Sequence, residues 1–238
     1  MRPNIKSLFS DVTHGCLNKI AFQKLYFERS HYRHKKESIL LLQGFLTSKR
    51  SMKVLKTFFK KRNVNVYTLK DCLADESVLA RNINLGWRDA YCELIEKKAL
   101  EIKEKTGESP YVVGWSLGGI YAINLFKKNP ELFKKVITLA SPLTQSFSKN
   151  TSIKWLYDLV ARNTSHLDEI IAENSTVKDM NSVVTIGAEK DGLVDYRICV
   201  SPYTKSYVVD CYHMDIVSHP KALKIIDQEL FGVENHIT

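Results

Sequence analysis

No stretch of this 238-residue chain approaches the ~20 consecutive apolar residues that a membrane-crossing helix needs, so none is expected. Cysteine is sparse. Its five residues, at 16, 72, 92, 199 and 211, form neither a C-x-x-C pair nor a Cys/His cluster. That excludes a disulfide framework and a zinc site, and predicts reduced thiols in a cytoplasmic protein. The first twenty residues carry positive charge but no continuous apolar segment running into small residues, so a secretory leader is not expected. No internal repeat or low-complexity tract is present. Glycine is scarce too, ten in all, yet Gly114, Gly118 and Gly119 crowd within three residues of Ser116. Such crowding in so glycine-poor a chain asks for a physical reason.

A hydrophobic fraction of 44% is that of a globular protein, and the length suits one α/β domain with a sizeable core. The formal charge is +9, from 35 Lys and Arg against 26 Asp and Glu. The cations fall in short groups, Arg33 to Lys36, Lys49 to Lys61, Lys97 to Lys105 and Lys127 to Lys135, at helix-like spacing or at element ends. They read as a solvated basic surface, or as attraction to an acidic partner such as anionic lipid or an acidic acyl carrier; nucleic acid is not expected.

Residues 1–37 are polar and basic, with Ile5, Leu8, Phe9 and Val12, then Ile20, Ala21, Leu25 and Phe27, at three- and four-residue steps: an N-terminal extension of one or two helices. From residue 38 strands and helices alternate. Short apolar runs predict strands at 38–44, 63–69, 111–113, 135–140, 182–186 and 207–209. Between and after them, helices are expected at 48–61, 87–106, 117–128 and 219–230. In the helix at 87–106, Ala90, Tyr91, Leu94, Ile95, Leu100 and Ile102 are expected inward, with Gly107 stopping it. A polar stretch at about 143–180 interrupts the pattern with helical pieces at 153–161 and 165–173. The expectation is an α/β fold, a mostly parallel sheet covered by helices on both faces, over residues 38–238 with a helical cap insert. Active residues of such sheets gather at the carboxyl ends of strands, here marked by Gly44, Gly114 and Gly187.

Gly114-Trp-Ser-Leu-Gly118 fits G-x-S-x-G between a strand and a helix. The reversal is sharp enough to strain the serine backbone, and side chains two positions either side would collide with the neighbouring strand and helix. Ser116 then stands above the sheet at a helix N-terminus, where main-chain N–H groups favour negative charge. A serine hydroxyl needs a base, and the base needs an orienting acid. Asp191, four residues past Gly187, sits where a carboxylate reaches a histidine; Asp195 and Glu189 are its rivals. His213 follows the last strand directly, and His219 lies at the start of the final helix. The oxyanion hole would take the N–H of Leu117 and, from the loop after the first strand, that of Phe45 beside Gly44. No metal or cofactor is expected.

These segments together resemble the α/β-hydrolase superfamily, in particular bacterial lipase- and esterase-like serine hydrolases. The matching stretches are GWSLGGIYA at 114–122, ITLASPL at 137–143, DGLV at 191–194 and HMDIVSHP at 213–220. The resemblance covers about 38–231 and implies Ser116 as nucleophile, Asp191 as acid and His213 as base. Gln43 stands where the family commonly has Pro or His before the glycine.

Substrate follows less directly. Insert residues Phe147, Ile153, Trp155, Leu156, Leu159, Val160, Leu167, Ile170 and Ile171 either line an acyl pocket or pack two helices onto the sheet. Gly44, Trp115 and Trp155 are the residues expected nearest a substrate. The expected activity is hydrolysis of carboxylic esters with a medium or long acyl part, on a small-molecule or lipid ester. Alternatives are an esterase for acyl-carrier-protein methyl esters, which a basic surface suits, an acyltransferase on the same triad, and a membrane-docking module built on the basic N-terminal segment.

Overall fold

The computed structural model describes residues 37–44, 52–69, 87–143, 165–175 and 180–232. Phe45, Trp155, the N-terminal extension and the helix expected at 153–161 lie outside them.

Six parallel strands form one sheet. They are β1 Ser38–Leu42, β2 Asn65–Thr68, β3 Tyr111–Trp115, β4 Val136–Leu139, β5 Val183–Ala188 and β6 Lys205–Val209, in the order β2-β1-β3-β4-β5-β6. The five helices among the described residues are α1 Lys53–Lys61, α2 Trp87–Thr106, α3 Leu117–Lys128, α4 Ser165–Ser175 and α5 Pro220–Phe231. Strands β1, β4 and β5 are buried along their whole length, which is why they are runs of Val, Ile and Leu rather than alternating patterns.

Two apolar cores flank the sheet. On one face Leu55, Phe58 and Phe59 of α1 and Ala222, Leu223, Ile226 and Leu230 of α5 meet Ile39, Val113, Trp115, Ile137, Val184 and Ile186. On the other, α2, α3 and α4 meet Leu40, Leu42, Val112, Val136 and Val183. Alternation along β3 thus sends Val113 and Trp115 to the α1/α5 side and Val112 to the opposite one. A buried ion pair fastens α1 to α5: Arg62 Nε lies 3.1 Å from Asp227 Oδ1, and the guanidinium stacks over Phe58 at 3.6 Å.

Element bounds differ from the sequence reading where backbone conformation or pairing intervenes. Asn63 has a left-handed φ of 59°, so the strand expected from that residue starts at Asn65. Gly187 stays in the ladder opposite Val208, extending β5 to Ala188, and β3 runs on to Trp115 opposite Leu139. Leu100, expected inward, is 49% exposed; the buried stripe of α2 is Cys92, Ile95, Ala99 and Ile102, a 3-4-3 spacing that Leu100 does not share. Ile170 and Ile171 are fully buried against α3 and the sheet, so for these two the packing alternative holds over the acyl pocket.

Candidate active site

All strands run the same way, so the ends of β1, β3 and β5 share one rim. Ser116 sits at the tip of β3, half-buried, with φ 53° and ψ −119°. An L-residue in that region carries about 1–3 kcal/mol of strain unless its surroundings enforce the conformation. They do so here. Ser116 N–H donates to Leu139 O at 2.8 Å, and Gly119 N–H donates to Ser116 O at 3.1 Å. A Cβ on Gly114 would stand 2.5 Å from Gly119 Cα, and one on Gly118 would overlap the Leu42 carbonyl oxygen and lie 2.7 Å from its carbon. The glycine crowding is therefore a steric demand: α3 leaves the elbow in contact with β1 and β3 backbone. A Cβ on Gly44 would be 3.2 Å from Ser116 Cβ, so the chain after β1 passes beside the serine. Leu117 opens α3, and the first N–H groups of a helix have no partner within it.

His213 and Asp191 meet on the same rim. His213 Nδ1 lies 2.6 Å from Asp191 Oδ2, with the two side chains 4% and 0% exposed. Asp191 Oδ1 accepts from the main-chain N–H of Leu193 and of Val194, each at 2.8 Å. One carboxylate oxygen is thus fixed by its own loop and the other faces the imidazole. The histidine loop is held from below by Ile216 and Val217, both buried in the α1/α5 core.

The rival residues are occupied otherwise. Asp195 accepts from the N–H of Arg197 and pairs with its guanidinium, and Glu189 is exposed. The Arg197 hydrogen bond outweighs burial and holds Asp195 below its ordinary value. His219 precedes α5 with no side-chain cap bond, its Nδ1 is buried without a partner, and burial lowers its pKa. Burial, then the charges of Asp191 and Asp195, push the nearby Cys199 thiol well up, which keeps it protonated and a poor nucleophile.

Trp115, expected near a substrate, is 1% exposed and belongs to the core. Its Nε1–H donates to the main-chain oxygen of His213 at 3.2 Å, and the two rings lie 5.7 Å apart at a 39° tilt. Period-two alternation places residue 115 on the same face of the sheet as Val113, the α1/α5 side. Of the other expected residues, Gly44 and Leu117 stand at the elbow, while Phe45 and Trp155 are outside the described residues. Among the described residues no helix is long and apolar enough to cross a membrane, and no group of three His, Cys, Asp or Glu could hold a metal ion. Cys92, Cys199 and Cys211 are buried.

No family model matches the chain, and no curated protein matches it. Solved structures do. A lipase of Bacillus licheniformis in its mature form superposes with a TM-score of 0.57 at 15% identity, over 85% of this chain and 96% of that one. An α/β-hydrolase enzyme from the metagenome of Mar Chica lagoon sediments gives 0.54 at 16%, over 83% and 91%. A membrane phospholipase A described as a bacterial virulence factor gives 0.56 at 13%, over 95% and 93%. With its parallel six-stranded sheet and its serine at a glycine-bound strand–helix elbow, the chain has the α/β-hydrolase fold.

Proposed function

We propose that this protein is a serine hydrolase of carboxylic esters that works through an acyl-enzyme, with Ser116 as nucleophile, His213 as base and Asp191 as orienting acid. One observation carries the reading: a buried Asp191–His213 pair stands on the strand-end rim where Ser116 is held at positive φ. The carboxylate accepts from Nδ1–H, which fixes the tautomer and presents Nε2 as the basic nitrogen. In the first half-reaction Nε2 takes the Ser116 proton as Oγ attacks the ester carbonyl, then returns it to the departing alkoxide. In the second, water is deprotonated by the same nitrogen, attacks the acyl-serine and releases the acid. The Leu117 N–H, joined by that of Phe45, would receive the developing oxyanion; one such donor is worth about 2.7–4 kcal/mol of transition-state stabilisation.

Medium or long acyl chains, including lipid esters, are the proposed substrate class. The lipase and phospholipase among the structural neighbours support it, as do the apolar residues of the 143–180 insert. A +9 charge favours an anionic lipid surface as the place of action. The test is a p-nitrophenyl ester panel of graded chain length, run beside Ser116→Ala. Activity rising with acyl length and lost in the variant supports the reading; a variant within tenfold of wild type overturns it.

A further inference from the structure

The Trp115 indole takes no part in the chemistry above, yet it joins the base to the nucleophile's strand. His213 leaves the edge strand β6, and Asp191 follows β5, its neighbour. Ser116 stands on β3, separated from β5 by β4. The Asp191–His213 bond therefore fixes the imidazole relative to β5 and says nothing about its place relative to β3. The bond from Trp115 Nε1 to His213 O, 3.2 Å long between residues 98 apart in the chain, supplies that second reference point. Its donor belongs to the residue immediately before Ser116, so covalent geometry hands the constraint directly to the nucleophile.

Two further observations agree. The indole faces the His213 ring at 5.7 Å, which limits rotation of the ring as well as displacement of its main chain. A Cβ added to Gly44 would stand 3.5 Å from the indole Cε3, so the ring also packs beside the chain that follows β1. Indole is a donor only, and a buried indole N–H requires an acceptor. Here that acceptor is the main-chain carbonyl of His213 itself.

We propose that Trp115 is a positioning residue that registers His213 against Ser116, through its Nε1–H bond to the His213 carbonyl; the assignment rests on the serine-hydrolase reading. It explains a large aromatic at the first variable position of the elbow without giving it any contact with substrate.

The experiment compares wild type with Trp115→Phe, and with 3-benzothienylalanine or 5-fluorotryptophan inserted at position 115. The benzothienyl ring keeps the fused shape and replaces N–H by sulfur; the fluorinated indole keeps the donor. A loose base geometry lowers kcat, and a misplacement of ~1 Å carries a loss of up to ~10²-fold. The expected result is a kcat at least ~10-fold lower for both donor-less variants, with KM within about twofold. The far-downfield proton resonance of His213 Nδ1–H should broaden or shift in both. The fluorotryptophan protein should stay within about threefold of wild type. If Trp115→Phe does not fold, the benzothienyl protein alone decides. A benzothienyl protein with wild-type kcat and an unaltered resonance would show that shape, not the N–H, matters and would overturn the proposal. A wild type that turns over no ester and leaves Ser116 unlabelled by a fluorophosphonate would instead remove the hydrolase reading on which it stands.

Discussion

Replacing Asp191 by Asn separates orientation of the base from everything else the residue does. The acid makes three hydrogen bonds: Oδ1 accepts from Leu193 N–H and Val194 N–H, and Oδ2 faces His213 Nδ1. An asparagine in the same rotamer has one acceptor and one donor. The two main-chain N–H groups select the acceptor for their own side, so the NH₂ is forced toward the imidazole. Facing a donor, Nδ1 must present its lone pair, and the proton moves to Nε2, where the ring can no longer accept from Ser116. The expected loss in kcat is ~10⁴-fold, about 5.4 kcal/mol at 1.36 kcal/mol per factor of ten. Stability should change far less. Two bonds to a charged acceptor become bonds to a neutral one, a loss of about 2 kcal/mol in total, or about 4–8 °C in Tm for a domain of this size. Burst kinetics on a p-nitrophenyl ester measure the first quantity and a thermal melt the second. An Asp191→Asn protein that keeps its fold and turns over within tenfold of wild type would refute the assignment of Asp191 as the orienting acid.

Three other outcomes follow from the packing. Gly118→Ala places a methyl group against the Leu42 carbonyl, where no flexible side chain can yield, and should destabilise by about 3 kcal/mol in urea titration; a loss below ~0.5 kcal/mol would contradict the contact. Arg62→Ala removes the guanidinium from the buried Asp227 carboxylate between α1 and α5 and should cost about 3–5 kcal/mol, with Arg62→Met/Asp227→Leu recovering most of it; no recovery in the double variant would mean the pair is not the cause. Burial pushes the Glu229 carboxyl up, but hydrogen bonds from Lys205 and Tyr207 and the charge of Lys135 hold it below its ordinary value. A folded pKa depressed in this way contributes stability above the unfolded value of ~4.3 and loses it as pH falls through the folded one. The urea midpoints of wild type and Glu229→Gln should therefore differ more at pH 7 than at pH 3, and an equal gap at both would count against the interaction.

Much of the fold could be read from residue order because its elements are locally self-consistent. Helix α3 has the expected bounds, Leu117–Lys128, fixed by the elbow before it and Asn129-Pro130 after it. Helix α2 ends where Gly107 adopts φ 81°. Strand ends were less legible, since whether Gly187 leaves the ladder depends on β6 and on Tyr196 packing over it, neither of which is local. The stripe of α2 was misread at Leu100 because Cys92 and Ala99, which occupy the buried positions, are too small to dominate a hydrophobic pattern. At the site, chain order and loop position point to Asp191 and His213, whereas the pairing of Asp195 with Arg197 is visible only in the structure. The direction of the Trp115 indole was written in the alternation of β3, but its acceptor, 98 residues away, was not.

In the proposed mechanism the His213–Asp191 pair activates the hydroxyl of Ser116. Intact-mass and peptide mapping after brief exposure of the folded protein to a fluorophosphonate tests it most directly. One adduct is expected, on Ser116, forming quickly in wild type and at least ~10³-fold more slowly in His213→Ala. No adduct, an adduct on another residue, or equal labelling with and without the imidazole would contradict it.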